Sequence, residues 1–172
     1  MKFVRGFCEG VNAISAWTAK VAQWIVLVIV LVIGYDVAAR YLFNTATTWS
    51  WTLCYMLGAS LIALGLPWVL STNNHIRVDI IYNKFPVRVR GLIEVTLTLL
   101  FFFPLVFVLS HSLINSAVQA YQTGNFDYAT MWRAPLWPYK SVVAFGFALL
   151  LLQGIANFVK DVLTLWKGGK PW

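Results

Sequence analysis

The chain has 172 residues, of which 60% are hydrophobic and only 11% charged, with a mean hydropathy of +0.73. That balance excludes an ordinary soluble domain: long charge-poor stretches recur at the roughly 20-residue length that a bilayer core about 30 Å thick demands of a helix, without the short alternating segments of a β-barrel. The formal charge of +7 does not point to nucleic acid either, because the thirteen Lys and Arg are spread over loops and tails, with no basic cluster on a soluble domain.

In chain order, Phe3, Phe7, Val11 and Ile14 fall on one stripe of an N-terminal amphipathic helix, expected to lie along the inner membrane surface. The uninterrupted apolar core begins only after Lys20 and no small-residue cleavage site follows, so the segment reads as a signal anchor that becomes the first span, 17–39. Asp36 and Arg40 are four apart near the outer end of that span and can pair on one face. A second span is expected over 49–70, bounded by Trp49, Trp51 and Trp68; Cys54, Gly58 and Gly65 give it a face of small side chains that permits close approach of another helix. Cys8 and Cys54 are the only cysteines and offer neither a disulfide framework nor a CxxC motif.

Between 75 and 90 the chain alternates apolar and charged residues until Pro86, as a short surface-lying element would. The third span is expected over 91–112, with Arg90 and Glu94 able to pair at its start and Pro104 as a kink. A loop over 115–133 with a Gly124-Asn125 turn follows, and then a fourth span over 137–158, opened by Pro135 and Pro138. Gly146, Gln153 and Asn157 share one face of that last helix. Amides in hydrocarbon need partners, so this face packs either within the bundle or against another subunit. The fold class expected is thus all-α integral membrane, one domain of four transmembrane helices.

Orientation follows from the basic residues. Ten of the thirteen fall in the two tails and in the connection between the second and third spans, leaving only Arg40, Arg133 and Lys140 for the other side. The positive-inside bias places both termini in the cytoplasm.

The middles of the four expected spans contain no Asp, Glu, Lys or Arg, whereas a self-sufficient carrier keeps ionisable groups at the midplane. A small exporter would need an acid in the first span, and Asp36 sits beside Arg40 instead. His75 and His111 are expected at opposite membrane surfaces, which disfavours a bis-histidine cytochrome, and no residue pattern suggests an enzyme active site.

The run Arg40-Tyr41-Leu42-Phe43-Asn44 followed by Trp49, the His75-Ile76-Arg77-Val78-Asp79 motif, and Pro86 with Arg88 and Arg90 resemble the small membrane subunit, DctQ-like, of tripartite ATP-independent periplasmic (TRAP) transporters. Pro135 to Lys140 and Leu150 to Gly154 are similar to the branch associated with mannitol or chloroaromatic compounds. The resemblance covers nearly the whole chain. One departure is Thr52, which follows Trp51 where many relatives carry an acid.

The resemblance implies a scaffold role in a bacterial inner membrane, with no cofactor in this chain. Its implied partners are a large membrane subunit carrying the sodium and substrate sites, a periplasmic substrate-binding protein, and membrane lipids. His75, Arg77 and Asp79 would organise the cytoplasmic connection or simply form a solvated loop. Trp132, Arg133, Trp137 and Lys140 would meet the binding protein or form an ordinary aromatic belt with basic neighbours. Gly58, Gly65, Gly146, Gln153 and Asn157 are the expected subunit-contact residues. A self-contained four-helix carrier acting as a homodimer is the alternative.

Overall fold

The computed structural model describes residues 2–45, 47–72, 95–128 and 131–166. Among them the chain is helical and contains no strand beyond one isolated bridge. The four helices are α1 (Lys2–Phe43), α2 (Ser50–Ser71), α3 (Val95–Thr123) and α4 (Trp137–Trp166). Each is long and apolar enough to cross a membrane. The surface-lying element expected between the second and third spans lies outside the described residues, as do Arg90 and Glu94.

Two boundaries differ from those expected. The amphipathic N-terminal segment is not a separate surface helix but the first part of α1, which continues through the span for 42 residues. No proline or glycine pair interrupts this stretch, so nothing in its backbone forces a corner. The second difference is at the other end of α3, where 115–123 is helix rather than loop. Its polar side chains do not stop it. The helix ends where Gly124 turns left-handed at φ 59° and the amides of Gly124 and Asn125 both donate to the Ala120 carbonyl.

Pro104 has no amide hydrogen, and the turn just before it, Thr98–Phe102, widens to π geometry, with the Phe103 amide donating to the Thr98 carbonyl. A wide turn of this kind lets a helix accommodate the proline ring without breaking.

α4 is the hub. It packs against the other three helices, while α1 also packs against α2. Residues that meet across the bundle fix the directions. Tyr55 with Tyr139 and Ala63 with Gly146 make α2 and α4 parallel; Phe103 with Phe158 and Tyr121 with Trp137 make α3 and α4 antiparallel. Cys8 and Val11 of α1 cluster with Ala156 of α4, so the first and last helices meet at the ends that carry the chain termini. Large apolar side chains such as Leu31, Phe101 and Phe107 point outward, the inverse of a soluble protein and the arrangement that lipid favours.

Candidate functional site

Polar groups are scarce in the bundle, and where they occur inside it they are used up on one another. Gln153 of α4 is fully buried. Its Oε1 accepts from the Ser15 hydroxyl at 2.9 Å, and its Nε2 donates to Asn12 Oδ1 at 2.8 Å and to Asn157 Oδ1 at 3.2 Å. Asn157 Nδ2 in turn donates to the Leu70 carbonyl at 2.7 Å, near the end of α2. One chain of hydrogen bonds therefore ties α1, α4 and α2 together around the buried Gln153 and Ser15, where an unpaired group would be costly.

Gly146 belongs to the same internal packing. A Cβ added there would lie 2.5 Å from the Ala63 carbonyl oxygen, so only glycine allows α2 and α4 to approach this closely. Gly154 is closed in the same way by the ring of Phe102. Of the five residues expected at a subunit contact, Gly146, Gln153 and Asn157 thus make their contacts within the chain. Gly58 and Gly65 have nothing within 4 Å of an added Cβ.

A second polar cluster lies at the opposite end of the bundle. Asp36 pairs with Arg40 at 3.0 Å, as their spacing predicts, and also accepts a hydrogen bond from Thr47, whose hydroxyl oxygen lies 2.8 Å from Ser50 Oγ. These contacts hold the short connection after Asn44, whose left-handed φ of 50° ends α1. Thr52 is buried, and its hydroxyl donates to Asp127 Oδ2 at 3.0 Å. An acidic group therefore does reach the start of α2, delivered from the α3–α4 connection. That connection folds back on itself, with the Asp127 amide donating to the Ala134 carbonyl and the Leu136 amide to the Asn125 carbonyl.

Trp132, Arg133 and Trp137 are exposed on or beside this connection, and Lys140 is half-buried one turn into α4. Trp137 makes an edge contact with Tyr121. His75, Arg77 and Asp79 lie outside the described residues. The two thiols are free, Cys8 buried and Cys54 half-buried. Among the described residues no three His, Cys, Asp or Glu side chains converge on a point that could hold a metal ion.

His111 is placed differently from the expectation. Because α3 runs on to Thr123, this histidine is in the middle of the helix and not near its outer end. It faces away from the bundle, paired with Asn115 one turn on, at 3.3 Å.

Residues 29–164 match the family of tripartite ATP-independent periplasmic transporters, DctQ component. The chain belongs to the DctQ family. No curated protein matches it. DctQ is a transporter component and not an enzyme family, and it works with other subunits of its transporter. The DctQ match takes in α2, α3 and nearly all of α4, together with the last third of α1. Asn12 and Ser15 lie before its first residue, so the buried network joins the DctQ region to a segment outside the match.

Proposed function

We propose that this DctQ component is the small scaffold subunit of a TRAP transporter. It braces a large membrane subunit during sodium-driven uptake of an organic acid or related solute delivered by a periplasmic binding protein. The observation that carries the proposal is the closure of the Gln153 network: among the described residues, the polar groups buried in the bundle are bonded to each other and to the backbone, and none is left over to escort a solute. The long uncharged runs, 21–35 in α1 and 141–159 in α4, support the same reading, since coupling an ion to transport requires ionisable or unwound elements at midplane depth.

In this proposal the membrane is a bacterial inner membrane and both termini face the cytoplasm, as the distribution of Lys and Arg favours. The α3–α4 connection then faces the periplasm, where Trp132, Arg133, Trp137 and Lys140 meet the binding protein. His75, Arg77 and Asp79 organise the cytoplasmic connection. Gly58 and Gly65 offer a smooth face to a neighbouring helix. Sodium and substrate are held by the large subunit.

The test is purification of the tagged chain from native membranes in mild detergent, followed by reconstitution. A stoichiometric partner with many more spans, and uptake in liposomes only when both are present, is the expected result. A chain that purifies alone as a homodimer and moves solute by itself overturns the proposal.

A further inference from the structure

The Gln153 network has one direction, and a single atom sets it. The Leu70 carbonyl oxygen can only accept, so the Asn157 side chain must present Nδ2 to it, at 2.7 Å, and turn Oδ1 the other way. That oxygen takes one hydrogen of Gln153 Nε2, at 3.2 Å, and the other goes to Asn12 Oδ1 at 2.8 Å. The Gln153 Oε1 is then left facing Ser15, whose hydroxyl donates to it. Each amide is locked in one of its two flips by the next, from the end of α2 to the early turns of α1.

Leu70 stands where such a lock has consequences. α2 ends at Ser71, and the last four carbonyls of a helix have no amide partner within it. Here the Trp68 and Val69 carbonyls take the Thr72 amide and the hydroxyls of Ser71 and Thr72, all from the same turn. Leu70 takes its hydrogen bond from α4. The last turn of α2 therefore leans on a residue of another helix, five positions before His75.

The stretch 8–15 of α1, which completes the lock, is firmly seated. Ser15, Gln153 and Ala156 are fully buried, Cys8 and Val11 pack on Ala156, and the Cys8 thiol lies 3.6 Å from the Ala156 carbonyl oxygen. All of these α1 residues precede residue 29, where the DctQ match begins. The stretch reaches the Leu70 carbonyl through two amides of α4, Gln153 and Asn157.

We propose that the stretch 8–15 is an intramolecular latch on the last turn of α2. With the latch seated, Gln153 holds Asn157 in the flip that caps Leu70. With it displaced, Gln153 loses the partners that orient it, Asn157 is free to turn, and the end of α2 opens at the point from which the chain departs toward His75. The latch works within this chain, whatever larger subunit the chain braces.

The test is amide hydrogen exchange on the full chain in lipid nanodiscs, read by mass spectrometry over 66–72 and, as the control, over 50–56 at the other end of α2. Asn12→Leu with Ser15→Ala changes only α1, yet should speed exchange over 66–72 roughly tenfold, about the worth of one hydrogen bond, and leave 50–56 as it is. Ser15→Ala alone should act in the same direction more weakly, which keeps the test open if the double variant does not fold. Asn157→Leu removes the cap directly and should match the double variant. Adding the α1 changes to Asn157→Leu should then speed exchange no further, because a latch that acts through Asn157 has nothing left to act on. An unchanged rate over 66–72 in the α1 variants, equal acceleration at both ends of α2, or additive effects in the combined variant would each overturn the latch.

Discussion

Gln153 Nε2 donates to Asn12 Oδ1 at 2.8 Å across 141 positions of sequence, joining the first helix to the last. Replacing Gln153 with Leu removes one end of this bridge and leaves Asn12, Ser15 and Asn157 short of a partner. The expected cost is about 1–3 kcal/mol for unsatisfied buried groups, read as a lower unfolding midpoint in detergent. An unchanged midpoint would mean that water reaches the site and the network is not a dry one.

Gly146→Ala should be harmful and Gly58→Ala neutral, although both glycines lie in apolar helices. The first places a methyl group against the Ala63 backbone, which cannot rotate away, whereas the second meets open space. Forcing α2 and α4 apart should cost about 1–3 kcal/mol, the usual penalty for overpacking. Thermal stability of the two purified variants checks this, and equal stabilities would refute the close approach.

The role of Asp36 can be separated from that of its basic partner. Thr47→Val and Asp36→Leu should both loosen the connection between α1 and α2 and expose it to protease. Arg40→Gln should not, because Arg40 is exposed and its pairing with Asp36 is screened by water. Cleavage of Arg40→Gln but not of Thr47→Val would show that the ion pair, and not the threonine, holds the connection.

Reversing charge at the proposed docking face, Arg133→Glu with Lys140→Glu, should slow uptake by on the order of tenfold at low ionic strength while the subunit stays in the membrane. The deficit should shrink as salt is added, since charges on an exposed face act mainly on encounter. Uptake equal to the parent at low salt would remove these residues from the docking face.

Much of the architecture was legible in the sequence because lipid sorts side chains crudely: four long charge-poor runs leave few alternatives. The helix ends were harder. Asn115, Gln119 and Thr123 look like loop residues by hydropathy, but backbone hydrogen bonding continues through them until a residue able to adopt φ 59° arrives at Gly124. Hydropathy reports the solvent around a side chain and says little about whether the backbone is still coiled. The same blindness split α1 into a surface helix and a span. Within the candidate site, the spacing of Gly146, Gln153 and Asn157 identified a face that must be covered, but not what covers it; the partners Ser15, Asn12 and Leu70 come from helices whose register only the folded bundle sets. The Asp36–Arg40 pair was visible from spacing alone, while Asp127 reaching Thr52 across 75 positions left no local signal.

The anchoring of Asp36 by Thr47 also bears on the shape of the surrounding bilayer. Between Lys20 and Asp36, α1 has fifteen uncharged residues, a rise of about 22 Å, whereas α4 has nineteen between Lys140 and Lys160, about 28 Å. A carboxylate held by the neighbouring connection stays where that connection places it. The charge-free length that α1 presents is accordingly about 6 Å less than that of α4, an unevenness that helix tilt or a local thinning of the bilayer would take up.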